Sequence, residues 1–74
     1  MVTVVSQERC MPCKMTTRKL TQLGVEHKYV DVSEVPNLVE IAQAAGAMAT
    51  PLVFRGDEFL WAGYNPTRMK ELAA

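Results

Sequence analysis

The first apolar run of the chain, residues 2–5, is short and β-branched, and polar residues follow it at once. A strand that is apolar on both faces is typical of the centre of a sheet that is covered on each side. Residues at helical spacing then predict a helix, and its inward face is expected to comprise Cys13, Thr16, Leu20 and Leu23. Pro12 suits the first turn of this helix, because its missing N–H would have no partner there. Gly24 is expected to end the helix in a left-handed conformation.

Residues 27–32 predict a second strand, which is more polar and therefore nearer a sheet edge. A strand, a helix and a strand within about 30 residues form a βαβ unit, so the two strands should be parallel. A second amphipathic helix should follow, with Asp31 or Ser33 as its N-cap, Pro36 in its first turn and Gly46 at its end. The i, i+3, i+4 spacing predicts that its inward face consists of Val35, Leu38, Ile41, Ala42 and Ala45.

Gly56-Asp57 separates two β-rich runs, residues 52–55 and 58–62. A two-residue Gly-X loop indicates a type II′ hairpin, so these strands should be antiparallel. Asn65 is expected to cap a last short helix that starts at Pro66 and turns Met69 and Leu72 inward. The predicted order is β-α-β-α-β-β-α, an α/β fold in one domain over residues 1–74.

The composition limits the classes of function. Of the 74 residues, 49% are hydrophobic and 22% charged, with a formal net charge of zero. This balance argues against nucleic acid as the main partner, because phosphate binding requires an excess of Lys and Arg. No apolar run approaches the roughly 20 residues that span a bilayer. No basic region followed by an apolar segment marks a secretory signal. We therefore expect a cytoplasmic monomer.

Both cysteines of the chain, Cys10 and Cys13, lie where the first strand gives way to the first helix. In a reducing compartment such a C-x-x-C pair is more often catalytic or metal-binding than structural. The helix N-terminus and the positive charges of Arg9 and Lys14 should lower the pKa of the Cys10 thiol. The negative charge of Glu8 acts in the opposite direction. Cys10 is then expected to be the exposed, attacking sulfur, and Cys13 the buried, resolving one.

Three other interpretations of the pair are possible. A structural zinc site needs four ligands, and two cysteines and His27 could supply it only by bridging two molecules, so no bound metal is expected. A purely structural disulfide would close a very small loop and contribute little stability. An inert buried pair does not explain the position of Pro12. Thiol–disulfide exchange is therefore favoured.

Three segments carry a family likeness: residues 10–16 (CMPCKMT), residues 49–51 (ATP) and residues 61–66 (WAGYNP). With the element order, they resemble the thioredoxin superfamily in its glutaredoxin-sized form and, more narrowly, the NrdH redoxins. The resemblance implies a thioredoxin fold, with a four-stranded mixed sheet in the order 2-1-3-4 flanked by three helices. It also implies a redox-active disulfide without a bound cofactor. Electrons would come from NADPH through thioredoxin reductase, a flavin enzyme, and pass to class Ib ribonucleotide reductase.

The same resemblance implies that Pro51 is a cis-proline packed against the disulfide, where it also keeps metal away. The backbone of Thr50 would then be free to pair with an extended substrate segment. The residues expected to contact partners are Arg9, Met11, Pro12, Lys14, Thr50, Pro51, Trp61, Gly63 and Tyr64.

The identity of the electron donor depends on the turn after the fourth strand. Glutaredoxins bind glutathione there with a Gly-Gly turn followed by an acidic residue, whereas this chain has no acid in residues 62–65, so glutathione binding should be weak or absent. The usual NrdH pattern is Trp-Ser-Gly-Phe-Arg-Pro, and this chain departs from it at Ala62, Tyr64 and Asn65. The choice of reductase therefore stays open. The alternatives are a glutathione-dependent glutaredoxin and a redox-inert thioredoxin-fold interaction module.

A few other side chains allow two interpretations. Trp61 could contact a reductase or cover the end of the sheet. His27 is interpreted as a solvated strand residue. Met11 could form part of an apolar docking rim, since Met adapts to varied partners. The others, Met15, Met48 and Met69, are expected to pack in the interior.

Overall fold

The computed structural model describes residues 1–73 of the chain. Within them the strands are β1 (Val2–Ser6), β2 (His27–Asp31), β3 (Leu52–Arg55) and β4 (Glu58–Ala62). The α-helices are α1 (Met11–Gln22), α2 (Pro36–Ala44) and α3 (Pro66–Ala73), and a 3₁₀ turn, Val32–Glu34, precedes α2. None of the helices in this part of the chain has the length and apolarity needed to cross a membrane.

The strands form one mixed sheet in the order β2-β1-β3-β4. β1 is parallel to β2 and antiparallel to β3, and β4 is antiparallel to β3. Arg55 pairs with Glu58, so the hairpin loop has two residues. Gly56 has a φ of +62° and Asp57 has no positive φ, as a type II′ turn requires. The predicted thioredoxin fold and its strand order are confirmed.

Alternation along β1 supplies two separate hydrophobic cores, because successive side chains point to opposite faces. On one face, Val2 and Val4 pack with Leu20 of α1 and Met69 of α3. On the other face, Val5 belongs to a cluster that also contains Leu38, Ala42, Leu52 and Phe54. The sheet therefore lies between α1 and α3 on one side and α2 on the other. This arrangement places the C-terminal end of β1, and with it the start of α1, at one end of the molecule.

The region before α2 differs from the prediction. Asp31 caps the 3₁₀ turn, where its carboxylate accepts hydrogen bonds from the backbone N–H (3.0 Å) and the hydroxyl (2.7 Å) of Ser33. Both bonds lower the pKa of Asp31, and the bond from the hydroxyl has the larger effect. The expectation that Asp31 or Ser33 caps α2 is wrong, because the 3₁₀ turn intervenes and Val35, which has no capping side chain, becomes the N-cap. Pro36 does occupy the first position of α2, as predicted.

The inward face of α2 was predicted only in part. Leu38 and Ala42 are buried, whereas Ile41 and Ala45 are exposed. Val39, on the neighbouring row, packs against the core instead. The helix is therefore rotated about its axis relative to the prediction.

Candidate active site at the Cys10–Cys13 disulfide

A sharp bend between β1 and α1 places the two cysteines. β1 ends at Ser6, and Arg9 has a φ of +60°, a left-handed conformation that non-glycine residues seldom adopt. After this bend Cys10 is the N-cap of α1, and Cys13 lies in the first turn, with Pro12 beside it. The bend could not be predicted from the sequence, because neither Gly nor Asn stands at position 9.

The two sulfurs form a disulfide, with Cα atoms 5.2 Å apart. The Sγ atom of Cys10 accepts hydrogen bonds from the backbone N–H of Cys13, at 3.1 Å, and from the hydroxyl of Thr50, at 3.3 Å. The first turn of α1 contains no acidic residue. Both donors and the helix dipole would stabilise a negative charge on this sulfur, so they should lower the pKa of the Cys10 thiol in the reduced protein.

The two sulfurs differ in their access to solvent. Cys10 is 8% exposed, and Cys13 is fully buried. Cys10 is thus the more accessible residue, but it is less exposed than the sequence suggested, because Thr50 lies against its sulfur. A thiolate that approaches from solution can reach the disulfide only at Cys10.

The hydroxyl of Thr50 lies against the sulfur of Cys10, and Pro51 follows it directly before β3. The peptide bond between them is cis, as the family resemblance implied, and Pro51 is fully buried. The carbonyl oxygen of Pro51 accepts a 2.8 Å hydrogen bond from the N–H of Gly63, which ties the turn after β4 to this segment. The N–H and C=O groups of Thr50 have no hydrogen-bond partner among residues 1–73. They are therefore available to an approaching chain.

The turn after β4 holds together without the Ser and Arg of the usual NrdH pattern. The indole N–H of Trp61 donates to the carbonyl of Gly63 at 3.1 Å, and the side chain of Asn65 accepts from the N–H of Arg68. The guanidinium of Arg68 lies 5.3 Å from the centre of the Trp61 ring, a cation–π contact that the sequence analysis missed. Trp61 is only 6% exposed and belongs to the α1/α3 core. This burial favours the covering role over the partner contact.

Several apolar side chains close in sequence to Cys10, Cys13 and Thr50 are exposed. Met11, between the two cysteines, is 62% exposed, which suits the docking rim expected of it. Met48 is 98% exposed, and Met15 is also exposed, so the expectation that these two pack in the interior is wrong. Only Met69 is buried as expected. The remaining predicted contact residues are also exposed: Arg9, Pro12 and Lys14 next to the cysteines in sequence, and Tyr64 in the turn after β4.

His27 lies apart from this site. Its ring is partly buried and makes hydrogen bonds with the hydroxyl of Thr17 and the carbonyl of Val25. His27 is thus a strand residue, as interpreted, but it is only partly exposed and also links β2 to α1. Over residues 1–73 no three His, Cys, Asp or Glu side chains are grouped as a metal site would require.

Comparisons with known proteins agree with this geometry. The glutaredoxin family model matches residues 2–60. The glutaredoxin-like protein NrdH of Lactococcus lactis is 33% identical over 99% of this chain and 100% of its own length. The NrdH-redoxin of Escherichia coli, a glutaredoxin-like protein with a thioredoxin-like activity profile, has a TM-score of 0.80 and 28% identity, covering 96% of this chain and 92% of its own. A glutaredoxin from Archaeoglobus fulgidus, at 25% identity, has a TM-score of 0.72 over 96% of this chain and 83% of its own.

The family model covers most of the chain, and the relatives cover nearly all of it. The protein therefore belongs to the glutaredoxin family, as an NrdH-type thiol–disulfide oxidoreductase with a thioredoxin fold.

Proposed function

We propose that this protein carries electrons from a thioredoxin reductase to a protein disulfide, with class Ib ribonucleotide reductase as its client. The observation that carries the proposal is the inequality of the two sulfurs. Of the two cysteines only Cys10 keeps any solvent exposure, and its Sγ accepts two hydrogen bonds that favour a thiolate.

The exchange proceeds in two steps. The Cys10 thiolate attacks one sulfur of the client disulfide, so that a Cys10–client bond forms, the client S–S bond breaks, and the departing client thiolate takes up a proton. The deprotonated Cys13 then attacks the Sγ atom of Cys10 and displaces the second client thiolate. Two electrons have then passed from the Cys10–Cys13 dithiol to the client. The dithiol of a flavin reductase, supplied by NADPH, restores the pair by the same steps in reverse.

The client segment is expected to pair with the backbone of Thr50. The free N–H and C=O groups of that residue support strand addition, in which main-chain bonds provide affinity. The exposed side chains of Arg9, Met11, Pro12, Lys14 and Tyr64 would contact the segment around the reacting sulfurs. The hydrogen bond from the N–H of Gly63 to the carbonyl of Pro51 would hold the turn after β4 in place beside the bound segment.

Glutathione is the weaker candidate for electron donor. It carries two carboxylates, which need cationic partners. The groove that runs from Thr50 along the end of α2 is lined by Gln7, Val32, Val39, Gln43, Ala47, Met48, Ala49, Thr50 and Leu52, none of which is charged. The thioredoxin-like activity profile of the Escherichia coli relative supports the same choice.

One comparison tests the donor. Reduction of insulin disulfides is measured with NADPH and thioredoxin reductase, and separately with NADPH, glutathione and glutathione reductase. For the parent protein we expect faster turnover with thioredoxin reductase than with glutathione. For Cys10→Ser we expect no turnover in either system. Faster turnover with glutathione would make the protein a glutathione-dependent glutaredoxin, and the absence of turnover with both would make it an inert interaction module.

The client is tested separately. Purified class Ib ribonucleotide reductase is assayed for deoxyribonucleotide formation with this protein as the only disulfide reductant. Sustained product formation is expected, and product limited to a single turnover of the enzyme would exclude it as a client.

A further inference from the structure

The outward face of α1 has an unusual distribution of charge. The helix contains Lys14, Arg18 and Lys19 and no acidic residue. Because the formal net charge of the chain is zero, the rest of the molecule carries a net charge of −3. Positive charge is therefore concentrated on the helix that begins at the disulfide.

Two of these cations share a shallow groove with apolar groups. It lies between α1 and the turn after β4, and its lining residues are Met15, Arg18, Lys19, Gln22 and Tyr64. Met15 is 41% exposed and Tyr64 39%. Within residues 1–73 the one ion pair closer than 4.0 Å joins Arg68 to Glu71, so Arg18 and Lys19 have no acidic partner in the described chain. We call this feature the α1 groove.

Lys14 is in a different situation. It lies on the other flank of α1, in a groove that also contains Glu8, Asp31 and Glu34. Its charge is thus partly balanced by nearby carboxylates. Among residues 1–73, the α1 groove places the exposed Met15 and Tyr64 beside two cations that have no acidic partner.

Helix stability accounts for part of this pattern. Lys19 lies in the last turn of α1, where a cation interacts favourably with the helix dipole. That effect requires neither the exposed Met15 nor the exposed Tyr64 beside it. An acidic segment with neighbouring apolar side chains would complement all of these residues.

We propose that the α1 groove binds an acidic, extended segment of the protein client, next to the cysteine that reacts with Cys10. The proposal rests on the proposed function and specifies its partner. Arg18 is eight residues beyond Cys10, which corresponds to about 12 Å along a helix axis. An extended chain covers about 3.3 Å per residue, so the acidic residues should lie about four positions from the client cysteine. Met11 and Met15 would contact the residues between them.

Synthetic peptides test this directly. Each ten-residue peptide has a single cysteine, capped as a pyridyl disulfide, and either Asp-Asp or Asn-Asn three and four positions away, on the N-terminal or the C-terminal side. The pre-reduced protein should react with the better Asp-Asp peptide about two- to thirtyfold faster than with its Asn-Asn counterpart, the range that two surface ion pairs provide. The ratio of the Asp-Asp rate to the Asn-Asn rate should fall towards one in Arg18→Gln/Lys19→Gln. It should also fall in about 0.5 M salt, which screens surface charges.

A matched variant controls for total charge. Lys28→Gln/Lys70→Gln also removes two cations, one of them in the last turn of a helix, and neither lines the α1 groove. It should keep the full preference. Dipyridyl disulfide, which is uncharged and too small to reach the groove, should react equally with all three proteins.

The outcomes separate the two proposals. Equal rates for all peptides, or a preference that survives in Arg18→Gln/Lys19→Gln, would overturn the acidic-segment proposal while leaving the exchange chemistry intact. Failure to react with dipyridyl disulfide would instead overturn the proposed function. In that case the same peptides with Ser for Cys are titrated into ¹⁵N-labelled protein. Backbone amide shifts in α1 for Asp-Asp alone would support the groove, and their absence would refute it.

Discussion

The hydroxyl of Thr50 offers the sharpest test of how the fold activates Cys10. It donates to the Cys10 Sγ atom at 3.3 Å, beside the N–H of Cys13 at 3.1 Å. Thr50→Val removes the hydroxyl and keeps the shape, whereas Thr50→Ser keeps the donor. We therefore expect the pKa of the Cys10 thiol to rise in the Val variant, because the lost hydrogen bond stabilises the thiolate more than the thiol.

The size of the effect follows from the kind of bond. Hydrogen bonds to charged groups contribute about 1.5–3 kcal/mol, and a sulfur acceptor at this distance belongs at the lower limit. A loss of about 1.4 kcal/mol corresponds to about a tenfold smaller thiolate fraction below the titration midpoint. The remaining thiolate is more nucleophilic, with a Brønsted slope of about 0.4–0.5. The rate of exchange at fixed pH should therefore fall only about three- to fourfold.

The titration is followed by thiolate absorbance in a Cys13→Ser background, so that a single thiol titrates and coupling between the sulfurs is avoided. Thr50→Ser should titrate close to the parent protein, and Thr50→Val at higher pH. Coincident midpoints for the Val and Ser variants would refute the assignment of the hydroxyl, as would a lower midpoint for the Val variant.

Two further predictions concern the elements that support the site. Arg9 has a φ of +60°, so Arg9→Val should lower the free energy of unfolding by about 1–3 kcal/mol, since a β-branched residue is strained there. Urea denaturation measures this free energy. Arg9→Asn is the control and should be as stable as the parent protein. Hydrogen bonds from Ser33 lower the pKa of Asp31, so its stabilising effect should be complete above about pH 4, the ordinary Asp value, and disappear as the pH falls through the lowered pKa. The difference in thermal midpoint between the parent and Asp31→Asn should follow that course, and a constant difference from pH 7 to pH 2 would contradict it.

Much of the fold could be predicted because the signals that define it are local. The β-branched run of β1, the prolines at the starts of the helices and the Gly-X hairpin each act within a few residues. Gly24, with a φ of +73°, ends α1 as its sequence position suggested. The C-x-x-C spacing likewise placed Cys10 and Cys13 correctly at the start of a helix.

The errors occurred where tertiary packing decides. In α2, Val39 packs against the core and Ile41 is exposed, although both positions are equally apolar in the sequence. Met15 and Met48 are exposed, which the hydrophobicity of these residues alone does not show. The left-handed Arg9 carries no local signal, since the bend follows from joining β1 to α1.

The central claim is that Cys10 attacks and Cys13 resolves. The most direct test is to incubate reduced Cys13→Ser protein with a disulfide-bonded client such as insulin and to record intact masses without reductant. We predict a covalent adduct of the protein with a client chain, linked through Cys10, that dithiothreitol releases, and no adduct for Cys10→Ser. Normal turnover by Cys13→Ser without any trapped client would contradict the two-cysteine mechanism.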